Sequence, residues 1–372
     1  MPLAPPADSA AAPPVAEEAP ESLAELLEPL RAEHGLPALA ALVRSSERVL
    51  AEGAVGLRRA GGDAPVTLDD RWHLGSCTKS MTATLAALLV ARGTLAWSTT
   101  VVEAFPELTV DPGWAPATLE ELVTNSAGAP AGLDQDGLWG RLWEHTGTPS
   151  EQRLTLVEGV LARPPDSPPG TRYLYSNGGF SIAGAMLERA AGVPFEELLA
   201  RELFAPLGLA SAGFGAPGTP GAVDAPFGHV FRGGALVPCE LGPGDDNPAA
   251  ITPAGRVHAS LRDWGRYAAL HLGGARGAPR DPPFDALDFE ALHRPRLDGY
   301  AMGWVASAPD WCRGPLLWHN GSNTMWYCEI ALFPEEDLAV LVATNTAHGT
   351  ARQAAGEVLR ALHDRCAPPG SR

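Results

Sequence analysis

Lysine is almost absent from this chain. Of the 27 basic side chains in 372 residues, 26 are arginine and one is Lys79. Arginine cannot deprotonate in a protein, whereas a lysine can be tuned to act as a base. The single position that keeps an amine is therefore a candidate for amine chemistry. Long apolar runs are also missing: no stretch reaches 18 residues, which excludes a helical membrane span. Positive charge is scarce, with a net charge of −17 and a pI near 5.0. That balance argues against nucleic acid or an anionic membrane surface as partner. Five cysteines (77, 239, 312, 328 and 366) show neither metal-ligand nor paired spacing, as expected of free thiols in a reducing compartment. The first twenty residues are acidic and rich in Ala and Pro, without the basic and apolar regions of a secretory leader. As it stands the chain is expected in the cytoplasm, or in the periplasm or outside the cell if a leader has been removed.

What is present reads as one large α+β unit. Residues 1–21 are expected to be a disordered tail, since low complexity and proline leave little to bury, and 365–372 a second tail. Ser22-Leu-Ala-Glu25 reads as a capping box opening a helix that Gly35 ends. Residues 38–43 and 48–56 read as two strands around a polar turn. The Ser76 helix is expected to run to about Gly93. Thr118-Leu-Glu-Glu121 caps a short helix, and further helices are expected over 180–191, 195–203 and from Ser260. The Gly- and Pro-dense stretch 213–255 reads as a long surface excursion. Strands are expected at 300–306, 315–319, 325–333 and 338–344, with a closing helix over 350–363. Strands at both ends with helices between suggest one antiparallel sheet completed by both termini, flanked by helices and joined to a mostly helical subdomain. The sheet part is placed at about 22–80 and 290–364, and the helical part at about 81–289.

The lone lysine sits in Gly75-Ser76-Cys77-Thr78-Lys79. On a helix, positions i and i+3 share a face, so the Ser76 hydroxyl and the Lys79 amine can approach each other. A serine falls at that offset by chance about one time in twenty. Serine is a poor nucleophile until a base takes its proton, and a lysine removed from water has its pKa lowered towards that task. In Tyr173-Leu-Tyr175-Ser-Asn177, Tyr175 could relay a proton, while Asn177 could hold Lys79 or donate to a substrate carbonyl. In His319-Asn320-Gly321-Ser322, Gly321 would let a substrate approach the backbone, and the Ser322 N–H could complete an oxyanion hole with that of Ser76. Each of the last two stretches also has a structural reading, as core residues beside a helix and a strand. Cys77 turns away from the site and reads as packing, as do most of Met325, Trp326 and Tyr327, where alternation puts Trp326 on the opposite face. His73, His145, His258 and Asp263 suggest no catalytic part.

Taken in this order, Ser76-x-x-Lys79, Tyr175-Ser-Asn177 and His319-Asn-Gly321 resemble the three-motif signature of the penicillin-recognising serine hydrolases. That group spans class C β-lactamases, DD-peptidases, D-aminopeptidases and esterases. The resemblance extends through 119–128, 175–180, 195–208 and 333–345, and covers roughly 22–364. It implies a β-lactamase/DD-peptidase-like fold, Ser76 as the acylated nucleophile and Lys79 with Tyr175 as the proton-handling pair. Asn177 would position the substrate, and His319 to Gly321 would form the strand wall of the cleft. No metal or cofactor is implied. The chain departs from the pattern in carrying His-Asn-Gly where lactamases and DD-peptidases carry Lys-Thr-Gly, and Asn125 where many relatives have histidine. A mostly neutral imidazole is a poorer partner for a substrate carboxylate. The expected activity is therefore hydrolysis of a small ester or amide through acyl-Ser76, with a D-aminopeptidase or DD-carboxypeptidase as the alternative. A β-lactamase, an acyltransferase and a non-catalytic ligand sensor follow behind. The expected partner is a small-molecule substrate, and the oligomeric state stays open.

Overall fold

In a computed structural model the described residues are 19–240 and 242–368. Most of the expected amino-terminal tail (1–18) and the end of the carboxy-terminal one (369–372) lie outside them. Ordered elements reach slightly past the expected 22–364 limits, since Glu21–Ser22 is a short strand and the last helix runs Ala351–Cys366.

Among the described residues, seven strands form the main sheet. Their spatial order is Glu21–Ser22, Val49–Gly56, Ala38–Arg44, Leu338–Thr344, Tyr327–Phe333, Leu316–Ser322 and Val305–Ser307. The pairings are antiparallel except at one edge, where Glu21–Ser22 runs parallel to its neighbour. Both ends of the chain thus meet in one sheet. Side-chain alternation divides its two faces. Leu39, Ala41, Val43, Val340 and Val342 pack with the helices Ala24–Glu33 and Ala351–Cys366. Ala40, Leu42, Ala339 and Leu341 belong to the larger core on the other face, where helix Leu261–Ala275 packs on the sheet. Burial on both faces explains why these strands read as nearly unbroken apolar runs.

The larger core continues into the helical layer. Helix Thr78–Ala91 is buried on all sides along twelve of its residues, five of them polar (Thr78, Lys79, Ser80, Thr82 and Thr84), so it sits among other elements rather than on a wet surface. Helix Asn177–Ala191 packs against it, as does the short Thr252–Gly255. The caps at Thr118 and Ser176 are made by their own side chains, Thr118 as a full capping box with Glu121.

Four local expectations fail. Ser22 does not cap: it is drawn into the edge strand opposite Glu52, and the helix starts from Leu23 with no side-chain cap. The strand expected over 300–306 shrinks to Val305–Ser307, because Ala301 N–H donates to Trp304 O across a turn in which Gly303 has φ +77°. The excursion 213–255 does not stay on the surface: Ala225, Phe227, His229 and Ala250 are buried. Gly213–Phe214 pairs with Val257–Ser260, itself paired to Arg71–His73, and His229–Arg232 pairs with Ala235–Pro238. Met325 and Trp326 precede their strand and pack into one cluster with Phe227, so alternation does not separate them.

Gly303 fixes the sheet edge against the helix that carries Lys79. A Cβ there would lie 2.5 Å from both Ser80 N and Ser80 Cα, and φ is already left-handed. Gly303→Ala is expected to lose about 1–3 kcal/mol through overpacking and backbone strain. A urea unfolding midpoint unchanged from the parent protein would refute this contact.

Candidate active site

Ser76 lies in a one-turn 3₁₀ segment, Gly75–Cys77, that leads directly into helix Thr78–Ala91. It is half-buried while its neighbours Gly75 and Cys77 are buried. This turn rests on the end of strand Leu316–Ser322 with backbone against backbone. A Cβ at Gly75 (φ +48°) would lie 2.2 Å from Ser322 N, and one at Gly321 would lie 2.0 Å from Leu74 O and 2.8 Å from Ser76 N. The nucleophile turn therefore leaves no room for a side chain at Gly321. The same closeness brings the main chain of Ser76 and Ser322 together.

Lys79 is wholly buried. Its Nζ donates to Asn177 Oδ1 and to Ala254 O, each at 2.7 Å, and stands 3.3 Å from Ser76 Oγ. It also lies 4.6 Å from the ring centre of Tyr175 and 5.4 Å from that of Phe180. Removal from water lowers its pKa to about 7, although Cys77 opposes the shift. The spacing of Ser76 and Lys79 thus has the geometric result that helix periodicity implies, and Asn177 holds Lys79.

Burial pushes the Tyr175 phenol pKa up, outweighing the lowering influence of the neighbouring Ser76 hydroxyl. Its segment is clamped by Asn125, which adopts φ +54°. The Asn125 carbonyl accepts from Leu174 N–H at 2.7 Å, and its Oδ1 accepts from Ser176 N–H at 3.0 Å. One asparagine therefore grips the chain on both sides of Tyr175.

His319 is buried, with Nδ1 2.6 Å from Asn320 O and Nε2 3.2 Å from the Tyr300 hydroxyl. A carbonyl can only accept, so Nδ1 carries the proton and Nε2 accepts from Tyr300, an assignment made from the contacts. Burial first, then the Lys79 charge, lowers the His319 pKa to about 4, against the Asn320 carbonyl bond that raises it. At neutral pH this imidazole is uncharged. Tyr300 is the side chain that the sequence hides. It is buried beside His319, Tyr173 and Tyr175. The usable signal was its setting between Gly299 and Gly303, which marks a turn rather than a strand. Ala254 gave no signal, since it contributes only its carbonyl.

Ser322 is exposed, and its Oγ accepts from Thr324 N–H at 2.8 Å. Beyond it, Asn323, Thr324 and Met325 form one wall of a cleft of about 530 Å3, whose other walls include Trp139, Trp143 and Arg232. Cys77 packs away from the cleft, its Sγ 3.8 Å from that of Cys328. Among the described residues, no group of three or more His, Cys, Asp or Glu could hold a metal ion, and no helix is long and apolar enough to cross a membrane.

Comparison with known proteins gives this geometry a setting. Among solved structures the chain is similar to the octameric penicillin-binding protein homologue from Pyrococcus abyssi, with TM-score 0.75, 24% identity, and coverage of 92% of this chain and 77% of that one. The fold is thus of the β-lactamase and penicillin-binding-protein type. Penicillin-binding protein 4 of Amycolatopsis lactamdurans is 27% identical over 330 residues, covering 86% of this chain and 84% of its own. A lovastatin esterase from Penicillium rubens is 28% identical over 172 residues, 42% of each chain. The beta-lactamase family model matches residues 23–365. That span takes in the Ser76 turn, the Tyr175 segment and the His319 strand alike, and the chain belongs to the beta-lactamase family.

Proposed function

We propose that the protein is a serine hydrolase that cleaves a small ester or amide through an acyl intermediate on Ser76. The observation that carries this reading is the surrounding of Lys79. A neutral amine has two N–H groups and one lone pair. Asn177 Oδ1 and Ala254 O take the two N–H groups, which leaves the lone pair for Ser76 Oγ at 3.3 Å. With a pKa of about 7, a large share of the molecules have the amine free to act as base at neutral pH.

In the proposed cycle, Ser76 Oγ attacks the substrate carbonyl carbon as its proton passes to Lys79 Nζ. Negative charge forms on the carbonyl oxygen between the N–H groups of Ser76 and Ser322. Tyr175, held as a phenol by burial, gives its proton to the departing alcohol or amine and is reprotonated from Lys79. Acyl-Ser76 remains. Water then adds to the ester carbon and loses a proton to the Lys79–Tyr175 pair. Collapse returns a proton to Ser76 Oγ and releases the carboxylic acid.

The neutral, doubly hydrogen-bonded His319 disfavours substrates that must anchor a free carboxylate on the third motif, such as β-lactams and C-terminal dipeptides. The likeness to an esterase supports the ester reading. A D-aminopeptidase is the second reading, because a neutral His319 places no demand for a substrate carboxylate on the third motif.

Two experiments test the proposal. With p-nitrophenyl butyrate, kcat/KM is expected to rise about tenfold per pH unit below the Lys79 pKa of about 7 and to level off above it. A flat profile from pH 5 to 9 would remove Lys79 as the base. Ser76→Ala should abolish turnover, and Lys79→Arg, which keeps the charge but cannot deprotonate, should slow it by roughly 10²–10⁴-fold. Full activity in Lys79→Arg would mean that only the charge matters.

A further inference from the structure

A buried polar chain ties the turn before Ser76 to the hairpin tip after Ser322. His73, at the end of strand Arg71–His73, is wholly buried, and its Nδ1 accepts from Gly75 N–H at 3.1 Å. An N–H cannot donate to a protonated nitrogen, so Nδ1 is bare and the ring proton sits on Nε2. The neutral Nε2–H faces Asp246 Oδ1 at 3.0 Å, off the line of a full hydrogen bond, so ring dipole meets carboxylate charge. Asp246 is buried as well. Its Oδ1 also accepts from Asn323 Nδ2 at 3.0 Å and from Asn247 N–H at 2.7 Å, and its Oδ2 accepts from Arg256 Nε at 3.1 Å. Burial alone would raise the Asp246 pKa, but His73, Arg256 and Asn323 outweigh it and keep the carboxylate ionised.

At its far end the chain shapes the hairpin. Asn323 Oδ1 accepts from the N–H groups of Met325 and Trp326, both at 3.2 Å, and Thr324 takes φ +77°. The Trp326 ring lies over His73, 5.6 Å between centres at 23°, with its Nε1 donating to Pro226 O. Gly75 and Asn323 each adjoin a residue, Ser76 or Ser322, whose N–H the proposed cycle uses. We infer that His73 and Asp246 are positioning residues that hold these two backbone segments in register, so that the N–H groups of Ser76 and Ser322 face one oxygen atom. Both act through other residues, since His73 is wholly buried and Asp246 nearly so. This inference rests on the acyl-serine reading.

Asparagine places its amide oxygen near where histidine has Nδ1, so His73→Asn can keep the Gly75 contact that His73→Ala removes. The experiment measures steady-state turnover of p-nitrophenyl butyrate, the rate of acyl-adduct formation by intact mass, and the urea midpoint. It uses the full chain and the variants His73→Ala, His73→Asn, Asp246→Asn and His73→Ala/Asp246→Asn. Loss of oxyanion alignment should lower kcat and the acylation rate roughly 10- to 100-fold in His73→Ala with KM within about twofold, and His73→Asn should recover most of it. The double variant should lose little more than the worse single one, because both act through one path. Equal rates in His73→Ala and the parent protein would overturn the inference. So would a His73→Asn variant as slow as His73→Ala while both keep the parent's urea midpoint, or fully multiplicative losses in the double variant. A parent protein that forms no Ser76 adduct fails at the acyl-serine reading itself and takes this inference with it.

Discussion

The site depends on keeping one amine dry. Lys79 sits on a helix with no wet face, and its Nζ meets Ser76 one turn away together with groups from two distant segments: Tyr175, Asn177 and Phe180, and the carbonyl of Ala254. Burial disfavours the charged form, while the fixed acceptors orient the amine. If either packing partner, the Asn177–Ala191 helix or the 252–255 turn, moved away, water would reach Nζ and the pKa would return towards that of a free lysine. Core packing and chemistry are here the same set of contacts.

A second constraint is how closely main chain can lie against main chain. The nucleophile turn, the end of strand Leu316–Ser322 and the turn at Gly303 approach so tightly that side chains are excluded at Gly75, Gly303 and Gly321. Oxyanion-type stabilisation needs N–H groups that are already in place before charge develops. Backbone contacts of this kind move less than side chains, and the His73–Asp246–Asn323 chain braces them from behind. Asn125 does the corresponding work for Tyr175 by gripping Leu174 and Ser176.

Much of this was legible in the residues. Ser76 and Lys79 share a helix face as their spacing requires, Asn177 reaches Lys79, and the sheet takes strands from both ends of the chain. What stayed hidden has physical causes. Ser22 has the right partner spacing for a cap, but the edge strand offered its backbone a ladder instead. Tyr300 lies in a stretch whose composition suits a strand, and only the turn at Gly303 brings it to His319. His73 and Asp246 are 173 residues apart in sequence, and their pairing depends on a loop closing over the end of strand Arg71–His73. A carbonyl such as that of Ala254 is the same in every residue type, so sequence cannot point to it. The three catalytic-looking motifs were readable because their side chains do the chemistry; the brace behind them was not, because it acts through backbone.

The near-total replacement of lysine by arginine also sets how the exterior answers to alkali. In most proteins the ammonium groups discharge around pH 10.4, and the surface pairs that they make dissolve with them. Here the paired cations are guanidinium groups, as in Arg262 with Glu52 and Arg31 with Glu28, and the carboxylate beside each raises its pKa further above the lysine range. Each such pair contributes little alone. Together they give the molecule an outer charge pattern that stays nearly constant through the range where ordinary basic surfaces titrate away.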